Sequence, residues 1–129
     1  MSAALEYCVL RIVPDIERAE FINTGVLLIC RATRLLDCRL ELDADRVMAL
    51  WPKLDPETLP LWEAQLATLT LICRGDLAGG PMALLDWRER WHWLTSPAST
   101  VIQPGPVHTA ITDSPSEEVD RLFTRYVTV

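Results

Sequence analysis

The residues best equipped for chemistry crowd one stretch, Arg11 to Arg31, in which Arg11, Asp15, Glu17, Arg18, Glu20 and Asn23 join two apolar runs. Two guanidinium groups can grip a phosphate or carboxylate through paired N–H donors. Asp15 or Glu20 could act as a general base beside such an anion, and carboxylates paired with arginines also suit metal-dependent phosphodiester chemistry. A second polar group, Thr95, Ser96, Ser99 and Gln103, lies far along the chain among small residues and prolines. If the two segments converge, Arg11, Arg18, Glu20 and Asn23 with Thr95, Ser96, Ser99 and Gln103 form a polar ligand site for an anion. The competing reading is an internal network that fixes a loop on a sheet, with Asp15, Glu17 and Glu20 as a solvated charge cluster. The sequence has no Ser-His-Asp order, metal-ligand cluster or phosphate loop. No catalytic residue is assigned, no cofactor or metal is expected, and the reading leans away from an enzyme.

These side chains need elements to position them. Leu5 to Val13 alternates, with Cys8, Leu10 and Ile12 on one face and Tyr7, Val9 and Arg11 on the other, which is strand periodicity. Arg11 therefore projects beside Tyr7, and its mundane role would be a salt bridge to Glu20 or another carboxylate. Asn23-Thr24-Gly25 reads as a turn that opens a buried strand over Val26 to Arg31, with Gly25 able to admit a close backbone approach. Ala32-Thr33-Arg34 then leads into Leu35 to Leu42, where Leu36, Cys38, Leu40 and Leu42 alternate with polar residues.

A short helix capped by Asp43 or Asp45 should run to Trp51 and stop at Pro52. A longer one follows Asp55-Pro56, with Leu59, Trp62, Leu66, Leu69 and Cys73 as its apolar stripe. Met82 to Arg90 reads as a further helix, with Trp91 to Leu94 turning to alternation. The tryptophans Trp87, Trp91 and Trp93 could stack on a base or sugar, although packing against a sheet explains them as well. Ser96 to Gly105 suits an extended segment or edge strand. Ser114-Pro115-Ser116-Glu117 matches a capping box, and Val119, Leu122, Phe123, Tyr126 and Val127 mark the inner face of the helix behind it. The expected fold is α+β: one domain over residues 1–129, with an antiparallel sheet of a three-strand N-terminal meander plus a strand near 98–112, and three to four helices packed on it.

With 129 residues, half of them apolar and 23% charged, the composition is globular. A net charge of −6 argues against binding nucleic-acid backbone, which requires Lys and Arg to neutralise phosphates. No apolar run approaches the roughly 20 residues of a membrane span, and the first residues lack a leader pattern, so the expected compartment is the cytoplasm. Cys8, Cys30, Cys38 and Cys73 sit in apolar runs without a Cys-x-x-Cys pair and read as small buried hydrophobes.

The spacing Tyr7-x-x-x-Arg11-x-x-Pro14-Asp15-x-x-Arg18-x-Glu20-Phe21-x-Asn23-x-Gly25-Val26, with Trp93-Leu94-Thr95-Ser96-Pro97-x-Ser99-x-x-Ile102-Gln103 and a late Thr112-Asp113, resembles the domain of unknown function 3037 family. The segment Leu35 to Glu89 carries no motif of that kind. The resemblance implies a bacterial, uncharacterised protein, and it points to a HipA-like Ser/Thr kinase as a partner, since such kinases are encoded beside some members. It implies no activity.

Three functions follow as expectations. The first is a noncatalytic binding or adaptor domain for a protein partner. The second is an enzyme or binder acting on a phosphorylated or nucleotide-like molecule, and the third a structural subunit whose aromatic or C-terminal helix face completes an oligomer.

Overall fold

The computed structural model describes residues 2–98 and 100–129 of the chain. Ser99, one of the expected site residues, lies outside them. The fold is α+β, as the alternation of apolar residues requires. Its sheet has the order β3-β2-β1-β4, from β1 (Ala3–Ile12), β2 (Ile22–Cys30), β3 (Leu35–Leu40) and β4 (Ile102–Thr112), and every neighbouring pair is antiparallel. The meander is the one expected, and β4 joins it on the free side of β1.

Helices cover both faces of the sheet, and this explains why β2 reads as a continuous apolar run and why β1 is buried without a break from Tyr7 to Leu10. Cys8, Leu10, Ile12, Leu27 and Ile29 pack under α1 (Ala44–Leu50), α2 (Thr58–Arg74) and α3 (Trp87–Leu94). Tyr7, Val9, Val26, Leu28 and Cys30 pack under α4 (Pro115–Tyr126) through Val119, Leu122, Phe123 and Val127. Each buried Val, Leu, Ile or Phe among them stabilises the fold by about 1.5–3 kcal/mol relative to exposure. All four cysteines are free and buried, as their apolar settings suggest.

Asn23-Thr24-Gly25 is not a turn but part of β2. The turn work is done earlier, by a 3-10 turn at Ile16–Arg18 that Asp15 caps and Ala19 closes with φ 56°. Thr24 is buried and its hydroxyl donates to the Glu41 carbonyl at 2.7 Å. Gly25 serves the close approach: a Cβ there would stand 2.7 Å from the Arg39 carbonyl oxygen and 2.9 Å from the Leu40 Cα.

The aromatic region also differs from the expected pattern. Pro81–Leu84 forms only a 3-10 turn, and α3 begins afterwards, with Asp86 accepting from the Arg88 N–H. The helix runs through the residues expected to alternate, because Trp91 and Leu94 bury on one side of it while Trp93 points out. Side-chain packing thus overrides the strand preference of aromatic residues.

The capping box does not form. The Ser114 side chain makes no cap bond, although Pro115 does open the helix. In its place the Thr112 hydroxyl accepts from the Ser114 N–H at 3.1 Å and donates to Glu118 at 3.0 Å, and Arg121 closes on the same carboxylate through Nε at 2.8 Å. Glu118 is only 5% exposed, a buried acid that the outward-facing pattern of α4 did not announce.

Candidate functional site

The two polar segments meet through the sheet. Arg11 stands on β1 with Asn23 of β2 as its partner on one side and Gln103 of β4 on the other. Just beyond, the Val13 N–H donates to the Val101 carbonyl at 2.7 Å. The Arg11 guanidinium lies over the Phe21 ring, 4.1 Å from its centroid, a favourable contact between a cation and an aromatic face. Its Nε is buried and has no hydrogen-bond partner among the described residues. Gly105 leaves room for it, since a Cβ there would come within 3.1 Å of that nitrogen.

Most of the other expected site residues are engaged in local structure. Glu20 bonds Arg18 rather than Arg11, with Arg18 Nε donating at 2.7 Å, and the pair is exposed, so solvent screening leaves it little energetic weight. Asn23 donates to the Tyr126 carbonyl at 3.1 Å and so fastens β2 to the end of α4. Thr95 donates to the Trp91 carbonyl at 2.8 Å and Ser96 to the His92 carbonyl at 2.6 Å, both sealing the last turn of α3. The Gln103 amide donates to the Thr100 carbonyl at 2.8 Å. Arg11, Asn23 and Gln103 therefore share one row across three strands. Thr95 and Ser96 follow the C-terminal end of α3, which packs on the opposite face.

Burial pushes the Cys8 thiol up to about 11, so it carries little thiolate at neutral pH. Tyr7 is raised to about 12 by burial and by its 2.8 Å hydrogen bond with the Tyr126 hydroxyl. Among the described residues no group of three or more His, Cys, Asp or Glu is placed to hold a metal ion. No helix among them is long and apolar enough to cross a membrane.

One opening is not revealed by residue spacing. A groove of about 570 Å³ lies between α2, α3 and the start of β4. Leu10, Ile102 and Pro104 form its floor, Ala64, Thr68, Leu69 and Ile72 one wall, and Trp93 and Leu94 the other. Ser96 and Thr100 border it, but their hydroxyls are turned to carbonyls of the chain, with Thr100 donating to Ile102 at 2.9 Å. No lining residue described carries a charge. Trp93, 40% exposed, stands at the lip. Ala64 and Thr68 lie one turn apart beside the apolar stripe of α2, and this small-residue flank was the one hint in the sequence.

A family model described as "Protein of unknown function (DUF3037)" matches residues 7–127. No curated protein and no solved structure matches the chain.

Proposed function

We propose that this chain, which belongs to the protein family of unknown function DUF3037, is a noncatalytic binding domain that receives an apolar segment of a protein partner in the groove between α2 and α3. The observation that carries the reading is the character of the groove: open, uncharged, with its bordering hydroxyls already bonded and a tryptophan at its lip. Such a surface favours apolar side chains over an anion, and exposed tryptophans are frequent anchors of protein interfaces. The HipA-like kinase implied by the resemblance is the first partner to test. Calorimetric titration of a purified kinase of that class should give saturable binding that Trp93→Ala weakens by about 30-fold or more, the loss of one anchor worth about 2 kcal/mol. Binding unchanged by Trp93→Ala and by Leu69→Arg would remove the groove from the account.

A second reading rests on Arg11. Its buried Nε beside Gly105 and Gln103 has no acceptor among the described residues, and an anionic small molecule could supply one to this guanidinium.

A further inference from the structure

The two edges of the sheet are built differently. The edge formed by β3 is short and carries Asp37 and Arg39, and Arg39 reaches back to Asp120 at 3.3 Å and covers the Phe123 ring. Charges and helix contacts of this kind keep other strands away. The edge formed by β4 is eleven residues long and contains no Asp, Glu, Lys or Arg. Its inner side pairs with β1 from Ala3 to Ile12, while no strand among the described residues pairs with its outer side. The first half of this edge is blunted by its prolines and by the register irregularity opposite Val9, both of which disfavour the addition of another strand. The second half, from Val107 to Thr112, has no such protection. It also bears Val107, 44% exposed, and Ile111, 75% exposed, on the strand face that points the same way as Cys8 but beyond the cover of α2 and α3.

We infer that this half-strand is a self-association surface on which a second copy of the chain adds its own β4 antiparallel, with Thr109 opposite Thr109 on the two-fold axis. A strand that pairs with itself must satisfy one register rule, that the positions facing each other sum to a constant. Centring on Thr109 sets Val107 of each copy opposite Ile111 of the other, so both exposed apolar side chains are covered twice over on one face. The same register sets His108 against Ala110 and pairs two threonines, a favourable cross-strand combination. No like charges face each other within the strand, which matters for a chain of net charge −6. Glu6, opposite Thr109 on β1, is already paired with Arg31. In the joined sheet the two copies of Glu6 lie three strand spacings apart, about 14 Å, where salt screens their repulsion.

The contact is small, so association in the micromolar range is expected, and sedimentation velocity on the full chain from about 5 to 500 µM spans it. The weight-average mass should rise with concentration towards twice the 14.6 kDa chain mass. Val107→Lys with Ile111→Lys places like charges opposite each other across the axis and should weaken association by at least about 100-fold while leaving far-UV circular dichroism unchanged. Val107→Lys with Ile111→Glu should restore it, because only this register sets the introduced lysine of one copy against the introduced glutamate of the other. A wild-type chain that stays monomeric throughout overturns the inference, as does a dimer indifferent to the double lysine variant. A lysine–glutamate variant that behaves like the double lysine one overturns the register.

Discussion

Gly25→Ala should be among the most damaging single-methyl changes available in this chain. The added Cβ would stand 2.7 Å from the Arg39 carbonyl oxygen, and restoring an ordinary contact of 3.4 Å requires that carbonyl to retreat by about 0.7 Å. The strand cannot yield freely. On one side of the clash the chain is tied down by the Glu41 N–H to Thr24 carbonyl bond at 2.9 Å and the Thr24 hydroxyl to Glu41 carbonyl bond at 2.7 Å, and on the other by the pairing of β3 with β2 from Leu35 onward. Overpacking of a rigid interior costs typically 1–3 kcal/mol, and with backbone atoms as the obstacle we take about 3 kcal/mol. At a urea slope of about 1.5 kcal/mol per molar, the unfolding midpoint should fall by roughly 2 M. Gly80→Ala is the control, since Gly80 has φ +91° but nothing within 4 Å of a new Cβ, so it tests backbone strain without steric conflict; that strain should cost about 1 kcal/mol. A Gly25→Ala midpoint within about 0.5 M of wild type would refute the close-approach argument and, with it, the reason Gly25 occupies β2.

Two further outcomes bear on Glu118 and Arg11. Arg121 and then Thr112 hold the Glu118 carboxyl below the ordinary 4.5, so the stability it contributes is present above that pH and lost as pH falls through its lower folded value; Glu118→Gln should flatten the acid side of a stability profile measured by urea unfolding, and an unaltered acid limb would count against this role for Glu118. On the anion reading of Arg11, millimolar inorganic pyrophosphate or ATP should raise the melting temperature by a few degrees and Arg11→Ala should abolish that rise, while the Arg18→Ala, Glu20→Ala pair leaves it intact; no shift with any anion ends that reading.

The regular elements were legible because burial on a sheet imposes period two and burial on a helix imposes period 3.6. The faces of β1, the buried run of β2 and the inner face of α4 all follow from that rule. Asn23-Thr24-Gly25 was misread because turn-prone residue types also serve inside strands: Thr24 finds a carbonyl partner on β3, and Gly25 admits that strand's backbone. The aromatic stretch was misread because three tryptophans raise strand preference locally, whereas one buried side of α3 decides the matter through tertiary contacts. The convergence of Arg11 with Gln103 depended on β4 joining β1, a pairing between residues ninety-two positions apart that local periodicity does not encode. The groove escaped for the same reason, since its floor and walls come from β1, α2, α3 and β4 at once.

Charge decides between the surfaces that remain. Carboxylates are dense near the N-terminus, yet Asp15 is committed to the Glu17 N–H, Glu20 to Arg18 and Glu6 to Arg31, so their effect beyond the molecule is largely the diffuse field of an acidic protein. That field repels anions approaching from solution and is screened within about 8–10 Å at physiological ionic strength. An anion at Arg11 must cross it and relies on one guanidinium group for its reward. An apolar side chain entering the groove meets no opposing charge and gains by removing surface from water, in proportion to the area covered. The same reasoning applies to the outer edge of β4, where an uncharged strand can accept its own copy although the chain as a whole is acidic. The two uncharged surfaces, rather than the charged connection, are therefore the places where this protein can form contacts without setting like charges against each other or stripping water from a charged group.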